Sequence, residues 1–166
     1  MNHRSIRYVG AALGALVLVL SGLTSSASAN PSTPPTEDGK RVILRVTAQP
    51  PANARAAAIT CELAAHNPHK STHVSGTINV TATWTCSAPV TRLTVTARLW
   101  RNVSTLVNQG YNETTGNRRA QANAAGGCTT GLYDGTTAGT VYYPPGYTPA
   151  TMTGYDQGPA VNISCP

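Results

Sequence analysis

Residues 77–86 read Thr-Ile-Asn-Val-Thr-Ala-Thr-Trp-Thr-Cys, an unbroken alternation that puts Ile78, Val80, Ala82, Trp84 and Cys86 on one side of an extended chain and Thr77, Asn79, Thr81, Thr83 and Thr85 on the other. A period of two belongs to a strand, because successive side chains of a sheet point to opposite faces, whereas a helix repeats its apolar positions three and four apart. One face is therefore buried, and Trp84 and Cys86 enter the core together, where an indole can pack on a disulfide. The pattern returns after Ser87-Ala88-Pro89, with Leu93, Val95, Ala97 and Leu99 inward and Arg92, Thr94, Thr96, Arg98 and Trp100 outward. Two successive strands that are wet on one face argue for an antiparallel sheet.

The N-terminus carries Arg4 and Arg7 without an acid, then an apolar run over residues 8–20, then small residues as far as Ala27-Ser28-Ala29. That succession is the charged, apolar and small-x-small order of a secretory signal peptide, assigned to residues 1–29. The apolar run is too short for the roughly 20 residues a spanning helix needs, so the expected product is secreted and keeps no membrane attachment after cleavage. Cys61, Cys86, Cys128 and Cys165 all lie in the exported part. An even number in an oxidising compartment reads as two disulfides. Three pairings are open; the sequential one, Cys61 with Cys86 and Cys128 with Cys165, is expected because it closes each loop within a contiguous half. With no CxxC pair among them, the thiols do not have the spacing of a zinc site.

Loss of Arg4 and Arg7 lowers the formal charge from +6 to +4. So mild an excess argues against a nucleic-acid partner. Residues 30–40 (NPSTPPTEDGK) are polar, Pro-rich and aperiodic, a flexible leader, and residues 41–166 form one domain. Within it, residues 41–48 alternate as a half-buried strand that stops at Pro50-Pro51; residues 56–63 form a second apolar run, and residues 64–75 suit a loop. Residues 101–127 are weakly patterned: 102–108 suit a short strand, while 110–127 read as loop-like or mildly helical around 118–125. Residues 128–143 read as a hairpin turning at Asp134-Gly135. Residues 144–159 hold too much Pro and Gly for regular structure, and a short strand ends the chain at Cys165. The sum is an all-β fold of six to eight short strands, a single antiparallel two-sheet sandwich (immunoglobulin-like) with two disulfides.

Trp84-Thr85-Cys86, residues 128–133, the Pro144-Pro145-Gly146-Tyr147-Thr148-Pro149 stretch and the final Cys165 together resemble a group of uncharacterised small secreted two-disulfide β proteins of high-GC Gram-positive bacteria. The resemblance implies export, two bridges and a β fold, and carries no activity. The short cysteine spacings and reactive-loop pattern of the bacterial subtilisin inhibitors are missing, and the bridges of the chromoprotein antibiotic carriers close tighter loops.

Hydrolytic chemistry asks for paired carboxylates, or for a nucleophile with a base and an orienting acid. Beyond Glu37 and Asp38 in the leader, only Glu62, Glu113, Asp134 and Asp156 carry acid, and neither GxSxG nor HExxH occurs, so no catalytic residue is assigned. His66, His69 and His73 share one loop without a supporting acid beyond Glu62, and neither a metal nor a cofactor is expected. Arg92, Arg98 and Trp100 lie on the outward face of one strand, where an indole can stack on a sugar ring while guanidinium forks grip phosphate or carboxylate. Tyr143 and Tyr147, with Tyr142 and Tyr155, gather around the Pro- and Gly-rich segment, where exposed Tyr makes an economical recognition surface. With no Phe in the chain, some of these rings are needed in the core. These residues point to a secreted, monomeric, non-catalytic binding or surface-interaction module for an anionic cell-wall polymer or an extracellular protein. The alternative is a secreted protease inhibitor that presents the Pro-rich loop braced by the Cys128–Cys165 bridge.

Overall fold

The structure is a computed structural model that describes residues 43–166. The expected signal peptide, the leader and the first two residues of the domain lie outside the described residues. Ten strands follow in order: β1 (Leu44–Ala48), β2 (Ile59–Ala65), β3 (His69–Lys70), β4 (Thr77–Cys86), β5 (Arg92–Arg101), β6 (Thr105–Thr115), β7 (Arg119–Gly127), β8 (Gly131–Tyr142), β9 (Thr151–Gln157) and β10 (Val161–Ile163). They form two antiparallel sheets. In the first, β1 pairs β2, β2 and β3 share one edge of β4 at successive heights, and β7 takes its other edge. In the second, β6 pairs β5, β5 pairs β8, and β9 and β10 divide the far edge of β8 between them. The result is a two-layer sandwich, as the alternation of Thr77–Cys86 and Arg92–Trp100 requires. With β1, β3 and β10 set aside as additions at the edges, the order is that of an immunoglobulin-like Greek key, with β2, β4 and β7 in one sheet and β6, β5, β8 and β9 in the other.

The core lies between the layers. Leu63, Ile78, Val80 and Trp84 face it from the first sheet, and Leu93, Val95, Leu99 and Val141 from the second, all of them fully buried. Each contributes about 1.5–3 kcal/mol on burial. Both bridges take the sequential pairing. Cys61–Cys86 joins directly opposed positions on β2 and β4, and Cys128–Cys165 ties the crossover after β7 to the end of the chain.

Four sequence expectations change. Residues 110–127 contain no helix: β6 and β7 fill most of the segment that lacked pattern. Asp134-Gly135 is not a turn, because β8 runs through it unbroken for 12 residues. Gly135 is needed there for a different reason, since a Cβ on it would overlap the Val80 side chain across the sandwich. Residues 144–159 hold a regular strand, β9, despite their Pro and Gly. The loop expected over residues 64–75 begins later, since Ala64 and Ala65 complete β2, and it contains the short β3.

The reason β6 escaped its pattern lies in what it faces. Asn108, Gly110, Asn112 and Thr114 sit opposite the inward residues Leu99, Ala97, Val95 and Leu93 of β5, yet they meet the edge of β7 rather than the core. Asn108 Nδ2 donates to Ala125 O at 2.6 Å, Asn112 Nδ2 to Gln121 O at 2.8 Å and Thr114 Oγ1 to Arg119 O at 3.4 Å. Each Asn Oδ1 in turn accepts the next backbone N–H of its own strand, from Gln109 and from Glu113. Between them Gly110 leaves room for Asn123 O, which a Cβ would overlap. Side chains thus close a seam between the two sheets and satisfy edge groups that would otherwise invite another strand.

Gly110→Ala is expected to cost about 1–3 kcal/mol or more, because it forces the seam apart. Gly127→Ala, which meets nothing within 4 Å, should stay within about 0.5 kcal/mol of wild type. Chemical denaturation of the two variants checks the pair; equal stability would sink the seam.

Candidate functional site

The outward faces of β6, β5, β8 and β9 form one continuous surface, and the strand register sets out its rows. Tyr111, Thr96, Ala138 and Tyr155 stand side by side across the four strands, and Gln109, Arg98, Thr136 and Gln157 make the next row. Directly opposed residues share a face and lie close together, so each row is a band of neighbours. The small Thr96 and Ala138 leave Tyr111 and Tyr155 standing proud at either side, 63% and 53% exposed. Beyond the second row come Leu106, Trp100 and Asp134. Here the β5–β6 register shifts between Leu99 and Trp100, so that Val107 packs against the core while Leu106 is exposed beside Trp100. Bulges of this kind re-aim side chains at the rim of a sheet.

A hollow of about 250 Å³ opens at this end of the face, and Arg98, Trp100, Asp134, Thr136, Tyr155 and Gln157 contribute to its lining. Trp100 is held in place, half-buried, by donating its Nε1–H to Thr136 Oγ1 at 2.9 Å. Val103 reaches the same hollow from the β5–β6 turn, where both Asn102 and Val103 have positive φ, 52° and 65°. A β-branched residue is strained in that conformation, so the exposed Val103 is kept at the rim against its backbone preference.

Of the residues singled out in the sequence, Arg98 and Trp100 come together here. Arg92 shares their face but is engaged elsewhere: its guanidinium lies 3.8 Å over the Tyr142 ring and 3.7 Å from Glu113. Glu113 also accepts the Tyr111 hydroxyl at 2.7 Å, and that hydrogen bond, chiefly, raises the Tyr111 pKa above the ordinary phenol value. Tyr143 and Tyr147 do not form a contact surface. Tyr143 is buried, and Tyr147, half-buried against the core, donates its hydroxyl to Ala57 O at 3.1 Å. Both rings face inward because the segment after β8 folds back onto the loop after β1, where Gln49 and Thr148 exchange backbone hydrogen bonds. The Cys128–Cys165 bridge stands at the opposite end of β8, so it does not brace this loop.

Each acid among the described residues is bound within the protein. Glu62 pairs with Arg45, Asp134 Oδ2 accepts Gln157 Nε2 at 3.0 Å, and Asp156 Oδ2 accepts the Ala65 backbone N–H at 2.7 Å across the sandwich. On the other sheet His66 Nε2 and Thr83 Oγ1 share a hydrogen bond, which buries a Thr expected on an open face. Among the described residues no three His, Cys, Asp or Glu gather closely enough to hold a metal ion.

Sequence reasoning missed Asp134, Gln157, Tyr111 and Val103 as members of the site, and it grouped Tyr155 with the loop tyrosines rather than with Arg98 and Trp100. A signal for Tyr155 and Gln157 was present, since Thr151, Thr153, Tyr155 and Gln157 alternate along β9 with Met152, Gly154 and Asp156. No protein-family model matches the chain, and no curated protein is significantly similar to it.

Tyr143 supplies a test of its inward placement. Its hydroxyl is buried without a hydrogen-bond partner, and burial pushes its pKa above the ordinary value. A raised phenol pKa means the folded state holds its proton longer than the unfolded one. Stability is therefore intact below about pH 10 and falls as pH rises towards the folded-state pKa. Tyr143→Phe should gain about 1 kcal/mol at neutral pH and lose much of the alkaline decline, read by denaturation at a series of pH values. A destabilised Tyr143→Phe would show that the hydroxyl has a partner.

Proposed function

We propose that the protein is a secreted, non-catalytic binding module that holds an extracellular polysaccharide, such as a cell-wall polymer, against the outer face of the sheet built from β6, β5, β8 and β9. The observation that carries this reading is the grouping of two exposed aromatic rings, Tyr155 and Tyr111, and the half-buried Trp100 with the planar polar side chains of Arg98, Gln109 and Gln157 in adjacent rows of one sheet face. Flat rings suit the apolar faces of sugars, and amide and guanidinium groups suit their hydroxyls. The two disulfides fit an oxidising extracellular setting. With Arg92 committed to Glu113 and Tyr142, Arg98 is the one arginine of this face that lines the hollow. Recognition then rests on stacking and hydrogen bonding more than on gripping phosphate or carboxylate.

The protein should be retained on insoluble wall polysaccharide from its host. Trp100→Ala and Tyr155→Ala should each weaken retention by about tenfold or more, while Arg92→Ala and Tyr147→Phe leave it nearly unchanged. Depletion binding checks this at low and high salt. Retention indifferent to both rings would refute the assignment of this face.

A further inference from the structure

The hollow beside Trp100 contains a buried charge that neither packing nor the sheet explains. Asp134 is 3% exposed. Its Oδ2 is bound by Gln157, but its Oδ1 is buried with no hydrogen-bond partner. Buried acceptors are as a rule satisfied, and one that is not destabilises the fold. The nearby indole N–H cannot meet the need, since it is given to Thr136. Whatever fills the hollow is therefore asked for a donor at Oδ1.

The other lining groups narrow the choice. Arg98 and Asp134 carry opposite charges, so the hollow has no net formal charge and does not favour an anion. Gln157 gives its Nε2 to Asp134, which leaves its Oε1 to accept a second hydrogen bond. Arg98 offers donors, and Trp100, Tyr155 and Val103 offer apolar surface. Donors, acceptors and an apolar wall together match a ring with several hydroxyls and an apolar face. At about 250 Å³ the hollow is smaller than the roughly 300–1,000 Å³ of sites that enclose a drug-sized ligand, which suits one ring rather than several. Tyr155 is exposed, so it can swing aside and let a hydroxyl reach the carboxylate while Gln157 keeps its hydrogen bond to Oδ2.

Resting on the reading of this face as a polysaccharide surface, we propose that the hollow is a subsite for one uncharged sugar ring, with a sugar hydroxyl donating to Asp134 Oδ1. The rest of the polymer then runs along the face past Tyr155 and towards Tyr111. An uncharged subsite also separates this ligand from acidic sugars, whose carboxylate would meet Asp134.

The test is calorimetric titration of the full-length protein with soluble neutral oligosaccharides of glucose, galactose and mannose, and with oligomers of uronic acids, run beside retention on insoluble wall. A neutral oligosaccharide should bind with an affinity that barely changes with salt. Asp134→Asn, which swaps one acceptor oxygen for a donor in the same shape, should weaken it by about tenfold or more. Tyr155→Ala alters an exposed ring and keeps the fold, so it gives a second reading if Asp134→Asn melts early; it should weaken the same oligosaccharide. Binding of uronates alone, lost in Arg98→Ala but not in Asp134→Asn, would overturn the neutral subsite and leave the face as a polysaccharide surface. No retention of the wild type on any polysaccharide would overturn the face and the subsite together.

Discussion

Trp84 is the largest of the fully buried side chains, and the two layers are spaced around it. Gly139 of β8 and Gly154 of β9 face it from the opposite sheet. A side chain at Gly139 would run into the indole and the Thr94 carbonyl, and one at Gly154 into Leu44. Small residues elsewhere at the interface, among them Ala82, Ala97, Ala120, Ala122 and Ala124, let the sheets close around this one large ring. The arrangement also sets the function-bearing face. With Gly139 and Gly154 turned inward, Ala138 and Tyr155 must turn outward as neighbours, because a strand alternates and a slip of one residue would exchange its faces. The core and the proposed binding surface are two sides of one register.

Polar groups are treated differently on the two sides of that register. Asp156, inward on β9, reaches across the sandwich to the last backbone N–H of β2. That carboxylate is a clasp between layers, since a charged acceptor forms a stronger hydrogen bond than a neutral one. Asp134, on the outward face and one row from Arg98, is only half satisfied. The contrast between a completed structural carboxylate and an incomplete one is what sets the hollow apart from the rest of the surface.

The seam between β6 and β7 shows why part of the fold is illegible in the residues that form it. Hydrophobic alternation records contact with an apolar core. Asn108, Gly110, Asn112 and Thr114 occupy inward positions, but their surroundings are the carbonyls of another strand's edge, so the residues chosen there are amides, a hydroxyl and a bare Cα. To a reading that equates buried with apolar, such a strand has no pattern. Asp134-Gly135 misled in a related way. The pair has the chemistry of a tight turn, yet the acid answers to Gln157 and the glycine to Val80, both distant in sequence.

What the sequence determined by itself was the class: strict period two at residues 77–86 and 92–100 fixes two strands with one buried face each, and four cysteines without metal spacing fix two bridges. It also placed Arg98 and Trp100 on a common face, since that needs only alternation within one strand. Only the tertiary structure decided what stands beside them. Asp134, Gln157 and Tyr155 reach the same hollow through β8 and β9, up to 59 positions away in the chain from Arg98 to Gln157. It likewise decided that Tyr143 and Tyr147 turn inward and that Arg92 is already paired. Local periodicity is a property of neighbours along a chain, whereas a site is a property of neighbours across a sheet, and strand pairing is settled by the packing of the whole sandwich.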